Sequence, residues 1–383
     1  MKLRKLGKAA AVTAMTAMLI TSGFTGCGQA EADDDCLNKS TFVGKSGARH
    51  ILTVQLPFVP GPVAVLSETG DGQTFSNSSK LWLGESGTSL YALDGSRVWS
   101  IDLATHELAA TGKVGSNAGQ VAGSDADSTM LVTDHELSSV WIMGETRNGA
   151  PVEVQVGRGP GALALGPGRR IAYVANEWDR SLSMVETGVG SYVQGQRSVI
   201  VAAQEGGSIL VLDGDGRTRH EYTGLPSRIL DLAVLPGGKI LAATYSEVVV
   251  TGDVGTIGDA EIVLSEGLAL LDLTSGEVTL RPLERLEDTA HSSLLARPTG
   301  MAVVGEDKLV VALPGWGAVG IVDTNPKSER FGEVIRLVEL DAHPRWVTAA
   351  TLEGDWVYLL DTDAGEVLLL SRDGDITRRI PLR

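Results

Sequence analysis

The chain has 383 residues, with 48 acidic against 32 basic side chains, 47 Gly, two Cys and 5% aromatics. A hydrophobic fraction of 43% excludes an intrinsically disordered chain, and two cysteines exclude a disulfide framework, a cysteine-rich zinc site and covalently attached haem. A formal charge of −16 repels phosphates and argues against nucleic acid as a partner.

Lys2, Arg4, Lys5 and Lys8 open the chain, and an apolar stretch runs from Ala9 to Phe24. That stretch is shorter than the roughly 20 residues a membrane-spanning helix needs, so it reads as an export signal. Its end, Phe24-Thr25-Gly26-Cys27, resembles the lipobox of bacterial lipoproteins. The resemblance implies cleavage before Cys27, with diacylglycerol on its sulfur and a fatty acid on its new amine. Several acyl chains, at about 0.8 kcal/mol per buried CH₂, hold a protein on a membrane where a single chain does not. Gly28 after the cysteine implies the outer membrane in a bacterium that has one. The alternative is an ordinary signal peptide cut near Ala30. Cys36 follows Asp33, Asp34 and Asp35, whose charge raises a thiol pKa, so it is not read as catalytic. The expected division is a signal peptide over 1–26, an acylated cysteine and tether over 27–48, and a folded domain over 49–383.

Beyond His50, short apolar runs alternate with Gly, Asp, Asn and Ser. Ile171-Ala-Tyr-Val-Ala-Asn176, Ser208-Ile-Leu-Val-Leu-Asp213, Leu309-Val-Val-Ala-Leu-Pro314 and Trp356-Val-Tyr-Leu-Leu-Asp361 have the size and the β-branched content of strands. No window of 12 or more residues after the signal carries a helical stripe, so the domain is predicted to be all-β.

The runs repeat. One landmark is a Gly or Pro turn before an apolar-Ala pair: Pro60-Gly-Pro-Val-Ala64, Ala118-Gly-Gln-Val-Ala122, Pro160-Gly-Ala-Leu-Ala164, Pro226 leading into Leu230-Asp-Leu-Ala233, Pro298-Thr-Gly-Met-Ala302 and Pro344-Arg-Trp-Val-Thr348. A second is a strand ending in an acidic turn, as at Trp99-Ser-Ile-Asp102, Leu270-Leu-Asp272 and Ile321-Val-Asp323. Four strands per unit of roughly 40–50 residues point to a β-propeller. The wording resembles the YVTN-type β-propeller family, most closely in Arg170-Ile-Ala-Tyr-Val-Ala-Asn176 followed by Ser181-Leu-Ser-Met-Val-Glu186. The resemblance covers residues 50–383 and implies about seven blades of four antiparallel strands, with six or eight as alternatives. It leaves a long insertion near 246–266 and a unit around 187–197 without a first strand. His50–Pro57 reads as an outer strand, expected to pair with the last blade and close the ring.

Catalytic motifs are missing: the sequence holds no nucleophile elbow, HExxH helix, phosphate loop or dinucleotide fingerprint. His50, His106, His135, His220, His291 and His343 are scattered outside ligand spacing. Asp213-Gly-Asp-Gly216 and Asp361-Thr-Asp363 read as tight turns in preference to calcium loops. No metal and no cofactor are expected, and the protein is read as more a binder than an enzyme. The alternative is a hydrolase or lactonase with a cation in the central channel; propeller lactonases use inward Asp, Asn and Glu, and a resemblance to them implies Asn176 and Asp231 as candidate contributors. Trp99, Trp141, Trp346 and Trp356 sit in apolar runs and read as packing. Trp178, in Glu177-Trp-Asp-Arg180, and Trp316, in Pro314-Gly-Trp-Gly317, sit in turns and are the candidate recognition aromatics. Arg158, Arg228, Arg297 and Arg345, with His343, stand beside the turns entering innermost strands and could form an anion-binding mouth. The competing expectation is that each Arg pairs with a nearby acidic turn. The expected protein is a monomeric, exported, lipid-anchored binding or scaffolding module of the bacterial cell envelope. Its partner is an envelope protein or an anionic small ligand, and it touches the membrane through the lipid alone.

Overall fold

The computed structural model describes residues 48–383 apart from 68–74, 77–79, 84–87, 116, 125–128, 144–150, 167–169, 189–196, 252–260, 284–294, 343–345, 351–355, 372–374 and 383. Cys27, Cys36, His291, His343, Arg345, the expected signal and the expected tether up to residue 47 lie outside these residues; Ala48, the last residue of that tether, is described and packs, partly buried, against the folded domain. Among the described residues seven antiparallel sheets form. The N-terminal strands are β1 (Arg49–Gln55), β2 (Pro60–Ser67) and β3 (Phe75–Ser76). Blade 1 is β4 (Leu81–Leu83), β5 (Ser89–Asp94), β6 (Arg97–Asp102) and β7 (Leu108–Lys113). Blade 2 is β8 (Ala118–Ser124), β9 (Thr129–Asp134), β10 (Ser139–Met143) and β11 (Val152–Gln155).

Blade 3 contributes only β12 (Pro160–Leu165), β13 (Ile171–Asn176) and β14 (Ser181–Glu186) from its own stretch of chain, and β1 completes it as the outermost strand. Blade 4 contributes β15 (Arg197–Ala203), β16 (Ile209–Asp213) and β17 (Thr218–Tyr222), and β2 completes it as the innermost strand. Blade 5 is β18 (Ile229–Val234), β19 (Ile240–Thr251), β20 (Glu261–Asp272) and β21 (Val278–Pro282). Blade 6 is β22 (Met301–Val304), β23 (Lys308–Leu313), β24 (Ala318–Asp323) and β25 (Val334–Glu339). Blade 7 is β26 (Trp346–Ala350), β27 (Trp356–Asp361), β28 (Glu366–Ser371) and β29 (Ile376–Pro381).

The innermost strands touch in a closed circuit: β4, β8, β12, β2, β18, β22, β26 and back to β4. The domain is therefore a seven-bladed propeller of four-stranded blades. The repeat wording explains how it packs. Neighbouring residues of a strand face opposite sides, so the apolar-Ala pair serves two seams at once. Val121 packs against blade 1 and Ala122 against blade 3; Leu163 faces blade 2 and Ala164 blade 4; Leu232 faces blade 4 and Ala233 blade 6. Blades converge towards the axis, and the alanines Ala122, Ala164 and Ala233 on one side of these innermost strands fit that taper. Seven apolar clusters result, one between each pair of adjacent blades.

The strand-ending aspartates have a local cause. Oδ1 of Asp102, Asp134, Asp272 and Asp361 accepts the backbone amides two and three residues on, and Asp213 and Asp323 accept the amide two residues on. Each caps the turn that reverses the chain. Asp213 and Asp361 are thus turn residues, with their oxygens directed to backbone amides.

One expectation is overturned. β1 does not pair with the last blade; it pairs with β14, from Arg49 opposite Glu186 to Gln55 opposite Ser181. β2 pairs with β15, Ala64 opposite Ile200. The segment 49–67 is therefore an ordinary outer-to-inner strand connection, placed between blades 3 and 4. It supplies the first strand that the unit around 187–197 lacks. Blade 7 meets blade 1 as two complete sheets, face to face, with Tyr358, Leu360 and Leu369 against Leu81, Leu90 and Ile101. β3 pairs with β2 on the side away from β15 and contacts β12 and β18. A piece of this chain thus lies inside the ring of innermost strands. The insertion near 246–266 is an extension of one hairpin, with β19 and β20 paired continuously from Ile240–Asp272 to Thr251–Glu261.

Candidate functional site

Strand direction alternates within a blade, so the turns joining second to third strands share one end of the propeller with the loops that enter innermost strands. Trp178, Trp316, Arg158, Arg228 and Arg297 all lie on these connections.

The turn 177–180 between β13 and β14 is tied down on several sides. Glu177 and Trp178 donate their amides to Gly159 and Arg158 carbonyls, and Leu56 donates to the Arg180 carbonyl at 2.8 Å. The Trp178 indole is 58% exposed. One face lies on Gly159, whose φ of +66° and lack of a side chain are both needed there, since a Cβ would sit 2.8 Å from the ring. The His135 ring of blade 2 meets Trp178 edge-on, 4.6 Å between centroids at 82°, and its Nε2 is 3.7 Å from Glu177 Oε2. The indole is held in a fixed orientation with its other face open, which lowers the ordering cost of binding. Trp316 differs. It belongs to the 3-10 turn Pro314–Trp316 and packs, partly buried, against the cluster between blades 5 and 6.

The arginines fall into two groups. Arg158 pairs with Asp179 in its own blade, with both backbone N to Oδ2 and Nε to Oδ1 at 2.7 Å. Those hydrogen bonds hold the Asp179 carboxyl below the usual carboxylate range. The guanidinium groups of Arg228 and Arg297 are exposed and form no ion pair among the described residues. Their loops are nevertheless fixed. Ser227 donates its amide to Glu247 Oε2 at 3.0 Å, and Arg297, with φ of +51°, donates its amide to Glu266 Oε2 at 2.9 Å. Three entry loops thus use one device, a backbone amide on a carboxylate from a second or third strand or the turn between them.

Asn176 and Asp231 each have a separate task. Asn176, fully buried, donates from Nδ2 to Ser181 Oγ at 3.0 Å and Ser183 Oγ at 2.9 Å. Asp231, also buried, accepts from Leu232 N at 2.8 Å and, across the seam to blade 6, from Met301 N at 2.9 Å. Burial pushes its carboxyl up to about 7, against those two hydrogen bonds. Gln120 stands at the same position of the blade 2 repeat, and its Oε1 accepts from Leu163 N of blade 3 at 3.1 Å. Asp231 is a seam clip with an ionisable group where the other clip has an amide. Sequence reasoning missed this role, although the alignment of Gln-Val-Ala with Asp-Leu-Ala carries the signal. Among the described residues no three His, Cys, Asp or Glu side chains are grouped to hold a metal ion.

No family model matches the sequence, and no curated protein matches it. Solved structures do. Hydrazine synthase of Kuenenia stuttgartiensis aligns with a TM-score of 0.62 at 19% identity, over 77% of this chain and 95% of that one. Hsv2 of Kluyveromyces lactis aligns with 0.52 at 10% identity, over 79% and 98%. The dihydro-heme d1 dehydrogenase NirN aligns with 0.50 at 14% identity, over 86% and 75%. These proteins have different functions, and at such identities the likeness is one of architecture. By its own sheets and by these neighbours, the chain is a seven-bladed β-propeller.

Proposed function

We propose that the protein is an exported binding module, anchored at a bacterial cell envelope through an acylated Cys27, that takes a protein partner on the face carrying the Trp178 turn. The observation that carries this reading is the pre-oriented indole, open on one side beside the satisfied Arg158–Asp179 ion pair. Buried aromatics at interface centres supply much of the energy of association. The position of β3 inside the ring supports a binder over the alternative of a channel-based hydrolase, since that chemistry needs the channel. Exposed Arg228 and Arg297 support a second ligand class on the same face, a carboxylate or phosphate.

The test uses the full chain in a bacterium fed labelled palmitate, with a photo-crosslinking residue on the Trp178 turn. Wild type should take up label and yield a crosslinked envelope protein. Cys27→Ser should lose the label, and Trp178→Ala should keep the label and lose the adduct. Label in Cys27→Ser defeats the anchor, and an undiminished adduct in Trp178→Ala defeats the binding face.

A further inference from the structure

The second and third strands of blade 5 are twelve residues long, where the corresponding strands of the other blades have five to seven. Their neighbours stop early. β18 pairs with β19 only as far as Tyr245, and β21 pairs with β20 only as far as Gly267. From Glu247 to Thr251 and from Glu261 to Ser265 the two strands pair with each other and with no other strand among the described residues. They form an arm rising from the same face as Trp178.

The base of the arm is bolted. Glu247 receives the Ser227 amide and Glu266 the Arg297 amide, from the two loops that flank it. Ser246 Oγ donates to Glu266 Oε1 across the arm at 3.3 Å, and Leu283 donates its amide to the Glu266 carbonyl at 2.9 Å. Above this base, Val248 and Leu264 stand directly opposite each other and are 62% and 42% exposed. A two-stranded ribbon is marginal alone in water and is made stable by a third strand on its edge. Edge strands left open are usually blunted with lysine or proline, and neither occurs between Ser246 and Glu266. That stretch holds five acidic residues and no Lys, Arg or His; Glu247 and Glu266 are engaged at the base, Asp253 and Asp259 lie outside the described residues, and Glu261 stands on the paired arm opposite Thr251.

We infer that the blade 5 arm is a docking edge that takes an extended, basic and apolar segment of a partner polypeptide as an added strand. Main-chain hydrogen bonds to the open edge give the affinity, and alternate side chains of the segment meet Val248 and Leu264. Charge selects the partner. A second copy of this acidic chain is repelled, as is an anionic membrane, whereas lysines on an incoming strand complement the arm. The inference rests on the protein being a binding module and names a surface separate from Trp178.

The test is amide hydrogen exchange in the full chain, with an acetylated peptide alternating lysine and valine as probe and its glutamate counterpart as control. The lysine peptide should slow exchange at 247–251 and 261–265. The glutamate peptide should bind at least about tenfold more weakly, as should the lysine peptide to Val248→Thr with Leu264→Thr. Both substitutions are at exposed sites, so the melting temperature should hold. Trp178→Ala should leave peptide binding unchanged, which separates failure of the arm from failure of the Trp178 face. Unchanged exchange, equal binding of the glutamate peptide, or equal protection from raised protein concentration or phosphatidylcholine vesicles would overturn the inference.

Discussion

The ring has two unlike junctions. Between blades 7 and 1, two sheets built from continuous chain press together through side chains alone, and no strand is shared. Between blades 3 and 4, the N-terminal segment is the outer strand of one sheet and the innermost strand of the next. A propeller can therefore close its last blade on its first complete blade by apolar packing, and place its strand exchange elsewhere. The exchange acts as a staple, since blades 3 and 4 are each incomplete without residues 49–67.

The largest expected effect is at the staple. Val65 is 1% exposed and faces the cluster between blades 3 and 4, so Val65→Asp buries an unpaired carboxylate. A loss of more than about 4 kcal/mol is expected, read as loss of the cooperative melt by circular dichroism. A variant that melts like wild type would break the comparison, because the ring would then stand without its staple.

A third junction, between blades 5 and 6, should respond to pH. Asp231 titrates near 7 in the folded chain because it is buried, and well below that when unfolded. The folded state binds the extra proton, so this contribution to stability grows as pH falls from above 7 towards 4. Between pH 8 and 5.5 the gain is about 2 kcal/mol. Asp231→Asn cannot ionise, and its denaturation midpoint should lose this slope. A variant with the wild-type slope would remove Asp231 as its origin.

Glu186 should show the opposite sign on a smaller scale. Burial opposes its charge, but hydrogen bonds from Arg170 and Arg49 outweigh burial and hold its carboxyl below the ordinary value. Its contribution is present above about pH 4.3 and is lost as pH falls through the folded value. Arg49 belongs to β1, so Glu186→Ala should loosen that strand first, at a cost of about 1 kcal/mol given the half-exposed arginines. Faster amide exchange in β1 than in β2 is the expected reading. The smallest effect is Trp178→Ala, under about 0.5 kcal/mol, because the indole already faces solvent. A large loss of stability there would mean the ring packs the fold instead of awaiting a partner.

Much of this architecture was legible. Ile171–Asn176 and Trp356–Asp361 are strands over those bounds, because β-branched runs between Gly and Asp turns state their length locally. The destination of β1 was not legible. Its residues suit any outer strand, and its partner lies far along the chain, so no local pattern distinguishes blade 3 from blade 7. The clue was arithmetic of parts: an outer strand without an inner one, and a unit at 187–197 without its first. Of the candidate site, the Trp178 turn was visible as an aromatic among charges. Its support was not, since Gly159 beneath the ring and His135 beside it come from a preceding loop and a neighbouring blade. The arm was seen only as an insertion, because strand pairing beyond the sheet depends on where β18 and β21 stop.

The staple also sets a timetable. Arg49 meets a residue 137 positions later, so β1 has no partner until blade 3 has been synthesised. At roughly 5–20 residues per second that wait is on the order of ten seconds or more. Blades 1 and 2 are contiguous in the chain and can assemble meanwhile, while β1 and β2 remain exposed apolar segments in search of a sheet. Such long-range closure is slow and open to mispairing. The vulnerable interval lasts until β14 and β15 are available, and whatever guards β1 and β2 then governs how much protein reaches the closed ring.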